Sequence, residues 1–203
     1  MTLSSFRAAP RRGHLDRAKR IISYIYKFKE GCIRIRTGIP DFSEYTTQHF
    51  DWMHTIYENA KEDLPHDAPP PLGNKVRTTT YVDANLMHDM ISGKSVTGIL
   101  HFVNQTHFDW YAKKQSTVET ATYGSEMVAA CTAVESIIEH RNTLRYLGVP
   151  LMEHSYLFGD NESVVNGSTL PHAKLNKRHN FLSFHPVCQA IAAGYINFIH
   201  IVV

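Results

Sequence analysis

Cysteine is scarce in this sequence. Its three cysteines, Cys32, Cys131 and Cys188, lie far apart in the chain and form no CxxC pair. This pattern indicates neither a disulfide framework nor a zinc ribbon. Thiols without such partners are typical of reducing compartments, so we predict a cytoplasmic or nuclear protein.

Long hydrophobic runs and a strong excess of charge are also lacking. No window approaches the roughly 18 apolar residues of a membrane span, so we expect no membrane partner. The net charge of +2 is too small to indicate nucleic-acid binding by itself. What is present is a chain of 203 residues, 43% of them hydrophobic, which is enough for one domain with a sizeable core and a shorter appendage.

The charge is distributed unevenly along the chain. Residues 1–36 contain ten lysines and arginines against two acids, Asp16 and Glu30. Apolar residues recur there at helical spacing, at Leu15, Ala18, Ile21, Ile22 and Ile25. We predict a basic amphipathic helix and then a strand near residues 32–36, with the basic side chains either facing phosphates or simply solvated.

Residues 37–75 break the regular pattern. Pro40, Pro65 and the run Pro69-Pro70-Pro71 argue against a long helix, although several aromatic residues argue against full disorder. We predict an irregular, proline-rich linker between the appendage at residues 1–36 and a domain at residues 76–203.

Three acids stand where a two-metal site would need them. Asp83 interrupts a strand-like run rich in β-branched residues, and Asp160 closes a second such run. Glu126 lies on a long segment, residues 118–147, whose apolar residues recur at helical spacing. Each acid taken alone is also compatible with an unrelated structural or solvated carboxylate.

The residues around these acids form ordered blocks. The blocks are Tyr81-Val82-Asp83-Ala84-Asn85, Ser95-Val96-Thr97-Gly98, the run from Asp109 to Val118, the run from Tyr123 to Ala130, Arg145-Tyr146-Leu147-Gly148 and the run from Gly159 to Val164. In this order they resemble the ribonuclease H domain of copia-type retrotransposon polyproteins. The upstream run from Arg11 to Tyr24 resembles the end of the preceding reverse transcriptase, so residues 1–36 are expected to be a remnant of it.

The resemblance implies a chemistry. In that family the three matching acids, here Asp83, Glu126 and Asp160, bind two Mg²⁺ ions, with Mn²⁺ as a substitute. Such a pair of ions supports in-line hydrolysis of a phosphodiester. The implied substrate is the RNA strand of an RNA–DNA hybrid during reverse transcription, and the implied partner is the remainder of the reverse transcriptase polyprotein.

The sequence also departs from the family pattern. A fourth acid is expected shortly after the last strand, but the strand-like run from Ile196 to Val203 is where this sequence stops, which predicts a domain truncated at its C-terminus. Phe181 stands where many relatives have aspartate, and Pro186 lies in an otherwise helical segment, which it is expected to begin. These departures leave an alternative open: a catalytically inactive retroelement remnant that at most binds nucleic acid.

Two basic groups are candidates for nucleic-acid binding. Lys113 and Lys114 follow two aromatic residues, and the cluster Lys177, Arg178 and His179 lies further along the chain. Cations near aromatics can grip a nucleic-acid backbone, although an exposed strand end or a solvated basic loop would have the same composition. His179 and His185 lie six residues apart, on poorly matched helical faces, so this pair does not favour a zinc site.

The predicted fold is α/β: a ribonuclease H-like mixed five-stranded sheet flanked by helices, with an N-terminal helical and irregular appendage. Strands are expected near residues 76–84, 95–103, 106–113, 154–160 and 195–202. The first three are joined tightly and should be antiparallel, whereas the last two return through helices and should run parallel to the first.

Overall fold

The computed structural model describes residues 9–32, 34–45, 50–173, 175 and 178–202, with only the backbone of residue 178. The chain divides into two compact units, Met1–Ile35 and Arg36–Val203, and each is described by itself.

The described residues of the first unit form one helix, α1, at Arg12–Lys27. The backbone N–H of Arg11 donates to Nδ1 of His14 at 3.1 Å, which satisfies a donor at the start of the helix. The predicted amphipathic helix is confirmed, but none of its residues is buried. The strand expected near residues 32–36 is not formed by residues 32 and 34–36, which have irregular backbone and no ladder partner in the described part of the chain.

The described residues of the second unit form one sheet of five strands in the order β3-β2-β1-β4-β5. The strands are β1 (Thr78–Asp89), β2 (Lys94–Val103), β3 (Thr106–Lys114), β4 (Ser155–Gly159) and β5 (Ile196–His200). β1, β2 and β3 are antiparallel neighbours, while β4 runs parallel to both β1 and β5. The mixed five-stranded sheet is therefore confirmed.

Within the described part of this unit, three α-helices accompany the sheet: α2 (Thr122–Tyr146), α3 (Glu162–Thr169) and α4 (Phe181–Ala192). On α2, the side chains of Met127, Val134 and Ile137 are buried in a core that includes Ile99 and Leu157 of the sheet. Three alanines of α2 are also fully buried. Such small side chains allow a helix backbone to lie close to the sheet beneath it.

Residues 36–75 pack within the same unit as the sheet. The carboxylate of Glu62 accepts hydrogen bonds from Nε of Arg141 at 2.7 Å and from Nη2 at 3.1 Å. Arg145 lies 2.7 Å from the same carboxylate, and the side chain of Arg141 is only 1% exposed. The predicted boundaries at residues 36 and 75 stay a prediction, but this ion cluster ties the segment to the end of α2.

Pro186 does not begin a helix as expected, because α4 starts at Phe181 and contains the proline. Proline lacks the N–H that would donate to the carbonyl four residues earlier, here that of Leu182. Leu182 is 83% exposed, so the turn that loses this hydrogen bond lies at the surface, where water can replace it.

Candidate metal centre

Asp83 and Asp160 meet because of strand register. β1 and β4 pair in parallel, with Tyr81 opposite Phe158. Two further steps along both strands bring Asp83 level with Asp160. Both aspartates are exposed, so the end of this strand pair presents two carboxylates side by side.

The backbone of Asp160 is fixed by its neighbours. A Cβ on Gly159 would lie 3.2 Å from Cε2 of Phe198, so glycine permits the close approach of β5. The side chain of Asn161 accepts the N–H of Val164 at 3.2 Å and caps α3. The carbonyl oxygen of Asp160 lies 3.0 Å from Nε2 of His200. These contacts hold the turn that carries the carboxylate.

Glu126 comes from the first turns of α2. The side-chain amide of Gln115, which is 5% exposed, donates to the carbonyl of Ser125 at 2.8 Å and to Oγ1 of Thr97 at 3.0 Å. The N–H of Ala84 on β1 donates to the carboxylate of Glu126 itself. Gln115 thus attaches the start of α2 to β2, and Ala84 directs Glu126 towards β1.

The structure brings the three predicted acids together. One carboxylate oxygen from each of Asp83, Glu126 and Asp160 lies within 4.8 Å of the others. Glu126 is only 9% exposed. Its burial, followed by the charges of Asp160 and Asp83, raises the pKa of Glu126 to about 8.

This donor set fits a hard divalent cation. Mg²⁺ and Mn²⁺ take oxygen ligands, and all three side chains offer carboxylate oxygen. The raised pKa of Glu126 comes first from burial and then from the two neighbouring carboxylates, and a cation bound beside it would favour the charged form against both.

A groove extends from the acids across the open face of the sheet. It has a volume of about 520 Å³, and its lining includes Asp83, Asp160, Leu100, Trp110 and Tyr111. Trp110 is 65% exposed. The groove therefore joins a charged end to an aromatic surface that could stack against bases or sugars.

The predicted nucleic-acid contacts have differing surroundings. Lys113 is exposed, with its Nζ 5.9 Å from the centre of the Tyr111 ring. Its neighbour Ala112 on β3 pairs with Gly98 on β2, and Gly98 in turn pairs with Asp83 on β1. Lys114 instead lies 2.7 Å from Oδ2 of Asp89 in an ion pair.

The second predicted basic cluster is described only in part. Lys177 lies outside the described residues, and for Arg178 only the backbone, in a short 3-10 turn, is described. His179 has a side chain that is 55% exposed and lies 3.4 Å from Oε2 of Glu119. Binding roles for all five basic residues stay predictions.

Sequence reasoning missed two features of this unit. Gln115 was assigned no role, because a glutamine carries no signal of the two hydrogen bonds it makes. A second cluster joins His101, Asp109 and His140, whose ligand atoms also lie within 4.8 Å of one another. Burial lowers the pKa of His101 to about 4, so its ring is neutral at neutral pH. No sequence motif links these residues. The pairing of β2 with β3 places His101 opposite Asp109, and the packing of α2 on the sheet brings His140 to them.

No helix in the described part of the chain is both long enough and apolar enough to cross a membrane.

Comparison with known proteins gave matches among solved structures alone. No family model and no curated protein matches the sequence. A ribonuclease H1 from the halophilic archaeon Halobacterium salinarum is 12% identical with a TM-score of 0.46, and the match covers 62% of this chain and 86% of that one. The LC11 ribonuclease H1, solved in complex with an RNA/DNA hybrid, is 14% identical with a TM-score of 0.49 over 62% and 86% of the two chains. The protease–reverse transcriptase of prototype foamy virus is 11% identical with a TM-score of 0.45, over 67% of this chain and 19% of that one. At these identities the likeness concerns the fold alone.

Proposed function

We propose that the domain at residues 76–203 is a ribonuclease H-type endonuclease that hydrolyses the RNA strand of RNA–DNA hybrids. The observation that carries this proposal is the convergence of Asp83 in β1, Asp160 directly after β4 and Glu126 on α2, within 4.8 Å. Three carboxylates gathered this closely are costly unless a cation or a proton compensates them.

Asp83, Glu126 and Asp160 would hold two Mg²⁺ ions, or Mn²⁺ in their place. When bound, such ions supply an activated water and stabilise the leaving oxygen of the phosphodiester. The protein's own contribution is orientation. The Ala84 N–H holds the Glu126 carboxylate, and Gln115 holds the start of the helix that carries it.

The groove next to the acids accounts for substrate binding in this proposal. Trp110, which is 65% exposed, lines it on the open face of the sheet. Tyr111 instead packs against the core on the other face of β3, with Lys113 beside it. A flat, exposed aromatic surface can stack on sugars or bases without selecting a sequence. The enzyme would therefore read the A-form-like shape and the 2′-hydroxyls of a hybrid rather than its sequence.

The proposal includes a retroelement setting. The six sequence blocks that resemble copia-type polyproteins support it, as does the reverse transcriptase-like run before them. The remainder of a reverse transcriptase polyprotein is then the proposed partner, and the chain would act on hybrids made during reverse transcription.

Cleavage of a labelled RNA–DNA hybrid in Mg²⁺ and in Mn²⁺ tests the function. We expect Asp83→Asn and Glu126→Gln to lower the rate at least about 100-fold, because each removes a charged ligand from the centre of the site. Asp67→Asn is the matched control, since Asp67 is an exposed acid outside the cluster, and it should leave the rate unchanged.

A DNA duplex of the same sequence should remain uncut. Its cleavage would indicate an integrase-like enzyme of the same superfamily instead. A folded protein that binds the hybrid but does not cut it, in either metal, would contradict the nuclease and identify the chain as an inactive binding remnant.

A further inference from the structure

His101, Asp109 and His140 form a second cluster of metal-ligating side chains. His101 on β2 and Asp109 on β3 are direct partners in the strand register. His140 on α2 lies over this pair, with its Nε2 3.1 Å from Oδ2 of Asp109. The rings of His101 and His140 meet edge to face, with their centroids 4.5 Å apart and an interplanar angle of 79°.

The buried imidazole of His101 has an unused nitrogen. The residue is 2% exposed, and its Nε2 has no hydrogen-bond partner within the described part of the chain. Its Nδ1 lies 2.9 Å from Oγ1 of Thr80. When Nδ1–H donates to Thr80, the lone pair of Nε2 points into the cluster. A buried polar atom without a partner is costly, and a ligand would remove that cost.

His140 also has a buried ring nitrogen, Nδ1, which makes no hydrogen bond to any of the described residues. When the ring proton of His140 lies on Nδ1, the lone pair of Nε2 is free to bind an ion beside Asp109.

The dimensions suit one small ion. Two ligand atoms about 2.0–2.1 Å from a tetrahedral centre lie roughly 3.3 Å apart, close to the 3.1 Å between His140 and Asp109. A cavity of about 10 Å³ lies beside the two histidines, lined in part by Thr80 and Phe108. The Phe108 ring packs against the imidazoles of His101 and His140, at centroid distances of 6.2 and 5.0 Å.

We propose that His101, His140 and Asp109 form a binding site for a divalent transition-metal ion of the Zn²⁺ type, with a water molecule as the fourth ligand. Two imidazole nitrogens and one carboxylate oxygen favour such an ion over Mg²⁺, which prefers oxygen throughout. The ion would join β2, β3 and α2, and so connect the outer edge of the sheet to the long helix.

This site is separate from the three acids. Glu126 and His140 lie 14 residues apart on α2, which corresponds to about 21 Å along the helix. Zinc binding at the histidines should therefore stabilise the protein without supplying the ions of the acid cluster.

The experiment is a titration of the chelator-treated full chain with Zn²⁺ alone, followed by calorimetry and by the change in Tm. Because the three acids could also bind zinc, the titration uses the Asp83→Asn protein, in which that cluster has lost one carboxylate. We expect one zinc per chain and a rise in Tm of about 5 °C or more. His140→Gln and Asp109→Asn should each weaken zinc binding at least about 100-fold. Substituting a residue that only hydrogen-bonds to a metal ligand already lowers metal affinity about 10–100-fold, and these two residues are the ligands themselves.

His107→Gln is the matched control, because His107 lies in the same hairpin but outside the cluster, and it should bind zinc as its parent does. Both test variants alter partly or largely exposed side chains, 22% for His140 and 49% for Asp109, so they should remain folded. Circular dichroism checks this. Absence of zinc binding in the Asp83→Asn protein, or equal affinity in the folded His140→Gln variant, would overturn the proposal.

Discussion

Glu126 should make the metal-free protein less stable as the pH rises. The pKa of this carboxyl is raised from its ordinary value of 4.5 to about 8 by burial and by its two acidic neighbours. Between these values the folded state binds a proton that the unfolded state has released. The free energy of unfolding therefore falls with increasing pH, by at most about 1.4 kcal/mol per pH unit from this one group.

The Glu126→Gln variant removes this titration. Between about pH 5.5 and 7.5 the full slope amounts to about 2.7 kcal/mol, and because Glu126 keeps 9% of its surface exposed we expect only part of it, about 1–2 kcal/mol. Stability of Glu126→Gln should exceed that of the wild type at the higher pH, and the gap should narrow as the pH is lowered towards 5. Buried histidines contribute in the opposite direction in both proteins, so the difference between the proteins isolates Glu126.

Urea unfolding at several pH values, in the presence of a chelator, measures the difference. Glu139→Gln is the matched control, since Glu139 is an exposed acid on the same helix, and it should keep the wild-type slope. Added Mg²⁺ should stabilise the wild type more at pH 7.5 than at pH 6, because the proton on Glu126 must leave before the carboxylate can bind. Identical pH slopes for Glu126→Gln and wild type would refute the reasoning.

Two further changes test how α2 is held. Glu62→Ala should cost about 3–5 kcal/mol in urea unfolding, because it leaves the guanidinium of Arg141 buried without its carboxylate, whereas Glu58→Ala in the same segment should cost less than about 0.5 kcal/mol. Gln115→Ala should cost about 1–3 kcal/mol and also weaken Mg²⁺ binding measured by calorimetry, since the start of α2 loses its attachment. The exposed Gln105→Ala is its control, and unchanged Mg²⁺ affinity in Gln115→Ala would exclude a positioning role.

The sheet could be predicted because each strand carries its own signal. Runs of β-branched and aromatic residues mark all five strands, and tight connections set the antiparallel order of the first three. The expected end of β1 at residue 84 was too early. The strand continues to Asp89 beyond an irregularity in the ladder, because Asp89 pairs with Lys94 at the start of β2.

The three acids could be predicted because they lie within recognisable blocks, although their role stays a prediction. Other features depend on tertiary register and leave no trace in a single sequence. His101 meets Asp109 only because β2 and β3 pair in that register, and Glu62 meets Arg141 across 79 residues of chain. The prediction that Pro186 begins a helix is wrong, because the sequence does not reveal that the turn of α4 before the proline faces water.

Helix α1 has a consequence for handling the protein. Its 16 residues include no buried one, and Ile21, Ile22 and Ile25 are each more than half exposed. A helix of this length with no buried residue is only marginally stable in water. Trypsin should therefore cut first within this arginine-rich helix, and the fragment that resists digestion would be the one to take into crystallisation.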